Sequence, residues 1–252
     1  MKTPKVSIIT IAYNSSETIE ETIQSVVAQD YENLEYIIID GDSKDGTLEL
    51  VNRYQDRIAR IVSEPDKGIY DAMNKGVQCA TGEIVGILNS DDIYANQHVV
   101  SDVVKRLGEA DALYADLVYV KRDQLDEVIR YWKSGEYKRE AFMKGWMPPH
   151  PTFFLRKSAY EKHGLYSLEL KSAADYELML RMLYKHGLSC VYLPQVITRM
   201  RVGGESNVSL KNRLRANRED RRAWAMNDLK PGALTLIRKP LSKISQWFKK
   251  ES

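Results

Sequence analysis

A chain of 252 residues, 43% hydrophobic and 29% charged, has the composition of a globular protein and is long enough for one large domain or two small ones. Its net charge of +2 gives no general electrostatic case for a nucleic-acid partner. Its two cysteines, Cys79 and Cys190, are far apart and in no ligand-like spacing, which argues against a disulfide framework or a thiolate zinc site and makes a reducing compartment the expectation.

Met1 to Lys5 lead straight into a strand-like segment, with no apolar signal region, and no apolar run reaches the roughly 18 residues a membrane-spanning helix needs. A cytoplasmic protein is expected. Val6 to Ala12 (VSIITIA) is nearly continuously apolar, as in a strand buried on both faces. Ser15 or Ser16 can cap a helix whose positions Ile19, Ile23, Val26 and Val27 share one face. Tyr36 to Ile39 is a second strand, ending at Asp40 and the turn-rich GDSKDGT. Leu48, Val51 and Tyr54 mark a helix face, and Ile58 to Val62 a third strand. Ile69 to Ala80 is helical up to Gly82, and Ile84 to Leu88 is a fourth strand. Repeated strand–helix–strand units predict an α/β fold with a mostly parallel sheet.

Beyond residue 100 the pattern loosens. Val99, Val103 and Leu107 predict a helix, and Ala112 to Val120 and Glu127 to Trp132 predict paired strands around a KRDQ turn. WMPPHP, residues 146 to 151, is loop because its prolines deny regular structure. Tyr176, Met179, Leu180 and Leu183 form a helix face closed by Gly187. Val191 to Leu193 and Val196 to Thr198 suggest two short strands. The expected organisation is a nucleotide-sugar-binding half over 1–98, an acceptor-binding half of the same catalytic domain over 99–207, and a basic helical tail over 208–252.

In open parallel sheets, ligands bind beyond the carboxyl ends of the strands. Those ends here carry Tyr13 and Asn14, then Asp40 and Asp42, then Glu64, Asp66 and Lys67, then Asn89 to Asp92. Asp40, Asp42 and Asp45 also suit a turn for local backbone reasons, and Asp91 or Asp92 could cap a following helix. One cap needs one carboxylate, however. Two adjacent carboxylates repel unless a cation or donors compensate, and Mg²⁺ takes one or two carboxylates together with substrate phosphates. AYNSSET lacks the glycines of a phosphate-binding loop, which favours a metal–diphosphate site over a backbone cradle.

The chain resembles the family 2 glycosyltransferases, inverting enzymes of the GT-A fold. The resemblance rests on SIITIAYN at 7–14, IIIDGDSKDGT at 37–47, DKGIYDAMNKG at 66–76, ATGEIVGILNSDD at 80–92 and SAADYELMLR at 172–181. It implies a Rossmann-like central sheet flanked by helices, a nucleotide-diphospho-sugar donor, commonly a UDP-sugar, a saccharide or polyprenyl-diphosphate-linked acceptor, and a divalent metal, Mn²⁺ or Mg²⁺. Thr10, Ala12, Tyr13 and Asn14 would contact the donor base, Asp40 the base or ribose, and Asp66 and Lys67 the nucleotide. Asp91 would face the ribose or diphosphate and Asp92 would hold the metal. Asn89 departs from the first Asp of the family's DXD motif.

Asp175 matches the family's catalytic base, a carboxylate that takes the acceptor's proton during in-line displacement. Its bland alternative is a cap on the helix near Tyr176. Glu177 is the backup candidate. On the acceptor side, His150 and Trp146 are candidates, Trp146 as a sugar-stacking ring. Gly203, Gly204 and Ser206 resemble a loop that closes over the donor. Competing readings are a nucleotidyltransferase and a degenerate, nucleotide-sugar-binding scaffold. Residues 211–222 (KNRLRANREDRR) are rich in Lys and Arg on a helix-compatible stretch. In the tail, Leu234, Ile237, Leu241, Ile244 and Phe248 form a helical apolar stripe among Lys and Arg, interrupted by Pro240. It reads as a contact with an anionic membrane surface, or as packing on the catalytic domain or on a second copy in a homo-oligomer.

Overall fold

The computed structural model describes residues 3–203 and 210–232, with side chains of 210–217 left aside. Gly204, Ser206 and the stripe from Leu234 to Phe248 lie outside the described residues. The three long apolar runs form strands β1 (Val6–Ala12), β2 (Leu34–Asp40) and β4 (Ile84–Asn89), with the shorter β3 (Arg60–Ser63) at the edge. They pair in parallel in the order β3-β2-β1-β4, and Ala12 stands level with Asp40 and Ile11 with Asn89. This register is what brings the acidic strand ends to one edge.

Burial on both faces explains the unbroken apolar runs. Ile8 and Ile38 face one core, with Ile19 and Ile23 of α1 (Ile19–Val27) and Val99 and Val103 of α4 (Val99–Leu107). The short α2 (Thr47–Asn52) adds Val51 to that core. Ile9, Ile11, Ile37 and Ile39 face the opposite core, where α3 (Ile69–Cys79) contributes Met73 and Val77. Each fully buried aliphatic side chain contributes about 1.5–3 kcal/mol. Gly76 lets α3 sit close, since a Cβ there would lie 2.3 Å from Ile9 Cγ2. The cap of α1 is Thr18, not Ser15 or Ser16. Ser15 uses its carbonyl to accept from the backbone of Thr18 and Ile19.

The second half extends the same sheet with mixed pairing. β8 (Phe154–Arg156) joins β4 antiparallel and leads to β6 (Ala112–Lys121). β6 pairs antiparallel with β7 (Gln124–Trp132) around the KRDQ turn and parallel with β9 (Cys190–Arg201). β9 in turn carries β5 (Asp92–Tyr94). The two short strands expected near Val191 and Val196 are one strand, because the register jumps from Ala115–Leu193 to Asp116–Val196 and leaves Pro194 in the irregularity. Three short elements had no periodic signal, namely β5, β8 and α5 (Lys157–His163).

α6 (Ala174–Met179) continues into a wider π turn over Leu180–Lys185 and packs against α7 (Leu210–Met226). Trp224 of α7 is fully buried and its indole N–H donates to the Tyr176 hydroxyl at 2.8 Å. Glu219 accepts from the backbone N–H of Lys171 and Ser172 and from the Ser172 hydroxyl. The basic stretch therefore has a protein-facing side that locks the segment leading into α6. Among the described residues no helix is long and apolar enough to cross a membrane.

Candidate active site

Loops after β1 and β2 are stapled together. Asn14, in a left-handed conformation (φ 46°), donates its N–H to Ser43 Oγ at 2.8 Å and accepts from the Lys44 N–H at 3.0 Å. Asp45 accepts from the Ser16 N–H and from the N–H and hydroxyl of Thr47, and these bonds outweigh the burial that would raise its carboxyl, holding it down at about 2. Asp45 is thus turn and helix-entry chemistry, and Asp42, also left-handed (φ 63°), pairs with Lys44. These staples leave the Tyr13 ring 68% exposed at the sheet edge. Gly41 sits beneath it. A Cβ there would lie 2.9 Å from Asp66 Oδ2 and 3.2 Å from the Tyr13 ring, so glycine leaves the cleft between them open.

Asp40 is wholly buried under this loop. Its Oδ2 accepts from the Ser43 N–H (3.1 Å) and the Ser63 hydroxyl (2.7 Å), while Oδ1 is buried with no partner. Thr10 does not reach the edge. Its side chain is buried in the core and accepts from the Tyr36 hydroxyl at 3.0 Å, because it stands two residues before the strand end. Ala12 is buried too and offers only backbone, with its carbonyl already accepting from Gly41. Asp66 receives Lys75 Nζ at 2.6 Å, and the same ammonium reaches Glu64 at 3.0 Å. Lys67 is exposed, and its backbone N–H is bound by Asp71 at the start of α3.

The Asn89–Asp92 segment is divided between surface and interior. Asp91 is partly exposed and its carboxylate has no hydrogen-bond partner among the described residues. Asp92 is 1% exposed. Its Oδ2 accepts from the Asn89 amide at 3.0 Å, and Asp92 Oδ1 and Asn89 Oδ1 are buried without partners. Burial pushes both carboxyls upward, Asp92 well upward because Asp91 adds repulsion. Neither Asp caps a helix: Asp92 opens β5, and α4 starts at Val99 after His98.

The arrangement fits a divalent ion. Burial outweighs the charges of Arg201 and Arg122 on these two adjacent carboxylates, and orphaned buried oxygens remain to be satisfied. No group of three or more acidic, His or Cys residues stands ready as a cage among the described residues. An ion here would need further ligands, such as phosphate oxygens and water.

Arg201, at the end of β9, is a residue the sequence did not single out. It is 2% exposed, donates to the Asp91 carbonyl at 2.7 Å and to the Arg122 carbonyl at 3.1 Å, and pairs with Glu21. It fixes the backbone that presents Asp91. Only its position 110 residues away in the chain kept it from being associated with the motif.

Asp175 lies in the first turn of α6 after the N-cap Ala173, and no side-chain cap bond is made there. It is partly exposed, and its Oδ1 accepts from the Tyr70 hydroxyl at 3.1 Å. Tyr70 stacks on Tyr166 at 5.9 Å, and the Tyr166 hydroxyl meets His150 Nε2 at 2.9 Å. Burial pushes the His150 imidazole downward, opposed by the Asp175 charge, so the ring is held neutral behind the carboxylate.

Two acceptor-side candidates are used structurally. Glu177 is 3% exposed, takes both its oxygens to the Arg181 guanidinium (2.8 and 3.0 Å) and accepts from Asn227, so it is no base. Trp146, partly buried, donates its indole N–H to the Ser134 carbonyl and meets Tyr114 and Phe142 edge-on at the edge of the core.

A parallel sheet with carboxylates at its carboxyl edge, extended by a second half of mixed pairing, defines a GT-A glycosyltransferase architecture. The profile described as "Glycosyl transferase family 2" matches residues 7–164, and the chain belongs to that family. It is 34% identical over 180 residues to an uncharacterised glycosyltransferase of Mycobacterium tuberculosis, covering 71% of this chain and 68% of the relative. It is 28% identical over 211 residues to a PGL/p-HBAD biosynthesis glycosyltransferase of Mycobacterium bovis, covering 82% and 81%.

Among solved structures, S. aureus TarS 1-349 in complex with UDP superposes with a TM-score of 0.69 at 21% identity, over 96% of this chain and 72% of that one. A mannosyltransferase of Pyrobaculum calidifontis in complex with GDP-Man and Mn²⁺ gives 0.70 at 23%, over 95% and 70%. At such identities these two likenesses carry the fold.

Proposed function

We propose that this glycosyltransferase moves a sugar from a nucleotide-diphospho-sugar, a UDP-sugar in first place, to a hydroxyl of a glycan or lipid-linked acceptor, with inversion at the anomeric carbon. Residues 1–98 form the donor half and 99–207 the acceptor half of one catalytic domain. The observation that carries the reading is the pair of open carboxylates: Asp91 beside buried, charge-deficient Asp92, and Asp175 with Oδ1 held by Tyr70 and Oδ2 without a partner among the described residues. The complexes of TarS and of the archaeal mannosyltransferase with nucleotide sugars support the donor class and the ion.

Tyr13 and Asp66, on either side of Gly41, line the cleft for the base, with Asp40 beneath and Lys67 at its rim. Asp91, partly exposed, and Asp92, buried, would hold a divalent ion. When bound, the ion supplies positive charge to the departing diphosphate. Asp175 Oδ2 takes the acceptor proton while the acceptor oxygen bonds to the anomeric carbon and the bond to the diphosphate breaks on the opposite face.

Calorimetry with UDP and GDP, with and without Mn²⁺, tests the donor side. Asp91→Asn should remove the Mn²⁺-dependent part of nucleotide affinity. Asp175→Asn should bind nucleotide like the parent and lose roughly 10²–10⁴-fold in turnover. Near-normal turnover in that variant would refute the base assignment. We place the protein in the cytoplasm, at an anionic membrane through residues 233–252. A truncated chain that sediments with anionic vesicles as fully as the parent would remove the tail from that role.

A further inference from the structure

We propose that Tyr70 is a positioning residue for transfer, holding the Asp175 carboxylate in register with the donor loop. The inference rests on the reading of Asp175 as base and goes beyond it, by naming what aims that base.

α3 carries the argument. Its residues Tyr70 and Asn74, four apart, project to the same side of the helix. The Tyr70 hydroxyl donates to Asp175 Oδ1 at 3.1 Å. Asn74 makes two bonds to the Tyr166 backbone, donating to its carbonyl and accepting from its N–H, both at 2.9 Å. Tyr166 in turn is the ring on which Tyr70 stacks, at 5.9 Å with planes 16° apart. Lys75 fastens the same helix to the donor loop through Asp66 and Glu64. One rigid helix thus reaches the loop after β3 at one end of its contacts and Asp175 at the other. Gly76 sets its height, since any side chain there would collide with Ile9 and lift α3 off β1.

The Tyr70 ring is 8% exposed, while the carboxylate it touches is partly open. Burial and the Asp175 charge keep the phenol protonated, so it serves as a fixed donor and exchanges no proton. With Oδ1 occupied, Oδ2 is the oxygen left for an acceptor hydroxyl. Tyr70 from α3 touches Asp175, and Tyr166 and a neutral His150 feel its charge from behind.

Tyr70→Phe keeps the ring and its stack and deletes the hydroxyl. The probes are UDP-N-acetylglucosamine and GDP-mannose with Mn²⁺, water standing in for the acceptor and nucleotide diphosphate release being measured. Loss of one hydrogen bond to a carboxylate should lower kcat roughly ten-fold with KM for the donor unchanged, a split that general loosening of the fold would not produce. Placed on Asp175→Asn, the same change should cost nothing further, because the hydroxyl acts through the carboxylate.

A crystal structure of Tyr70→Phe should show the Asp175 carboxylate turned from its present place. Parental kcat, a full additional loss on the Asp175→Asn background, or an unmoved carboxylate would overturn the proposal. Should neither probe be turned over, the position of that carboxylate decides alone. Turnover retained by Asp175→Asn would instead overturn the base assignment, and Tyr70 with it as a residue that aims a base.

Discussion

Adjacent residues in this chain have opposite fates, and elementary geometry says why. Asp175 and Glu177 are two apart on a helix, about 200° around it, so one stays partly exposed while the other is driven into an ion pair with Arg181. Asp91 closes the turn after β4 and stays partly exposed, whereas Asp92 opens β5 and is 1% exposed. The buried one bears the desolvation. Folding makes both carboxyls hold their protons to higher pH than in the unfolded chain, so their ionisation lowers stability as pH rises through the unfolded value toward the raised folded one. Asp92→Asn, without metal, should therefore be more stable than the parent at neutral pH by about 1 kcal/mol, some 2–4 °C in a thermal melt. The same variant should lose Mn²⁺-dependent nucleotide binding. A lower melting temperature would show that the Asp92 charge is already compensated.

At the scale of elements, the informative pairing is α6 with α7. The Lys- and Arg-rich stretch over 211–222 leads into turns that dock, with Glu219, Arg222, Trp224 and Asn227 bonding to residues flanking Asp175. Periodicity misses this because the few residues that dock are scattered among the many Lys and Arg of the stretch. Trp224→Ala empties a fully buried indole site and removes the bond its N–H donates to the Tyr176 hydroxyl. It should cost about 3–5 kcal/mol, measured by urea unfolding, and increase proteolysis near residues 171–177. A change within 1 kcal/mol would mean α7 is dispensable to the catalytic domain. β5, β8 and α5 escaped sequence reading for a related reason: three to seven residues give too short a window for a period to show.

For the whole molecule, the two ends of the parallel sheet have divided labour. The carboxyl end keeps unsatisfied oxygens, whereas the amino end is closed by Glu35. Burial alone would raise the Glu35 carboxyl, but donors from Ser7, from the Thr81 backbone and hydroxyl, and from Lys5 outweigh it and pull it from 4.5 to about 2. A depressed carboxyl contributes its stability above the unfolded value and loses it as pH falls through the folded one. Glu35→Gln should therefore cost on the order of 2–3 kcal/mol at pH 7. The gap to the parent should close between pH 4.5 and about 2. Equal destabilisation at both ends of that window would show that packing, not ionisation, is responsible.

The sequence by itself determined the order of strands and helices in the first hundred residues, the edge on which the acidic residues gather, and the family. Each of these follows from short-range periodicity or from contiguous motifs. Only the tertiary structure decided that Asp92 is buried while Asp91 and Asp175 stay partly open, that Thr10 and Glu177 are buried, and that Arg201, Tyr70 and Trp224 bond to Asp91, Asp175 and Tyr176 from distant parts of the chain. Burial and hydrogen-bond satisfaction depend on what packs against a residue, and those neighbours come from segments up to 180 residues away, as Glu21 does for Arg201. No local pattern carries that information.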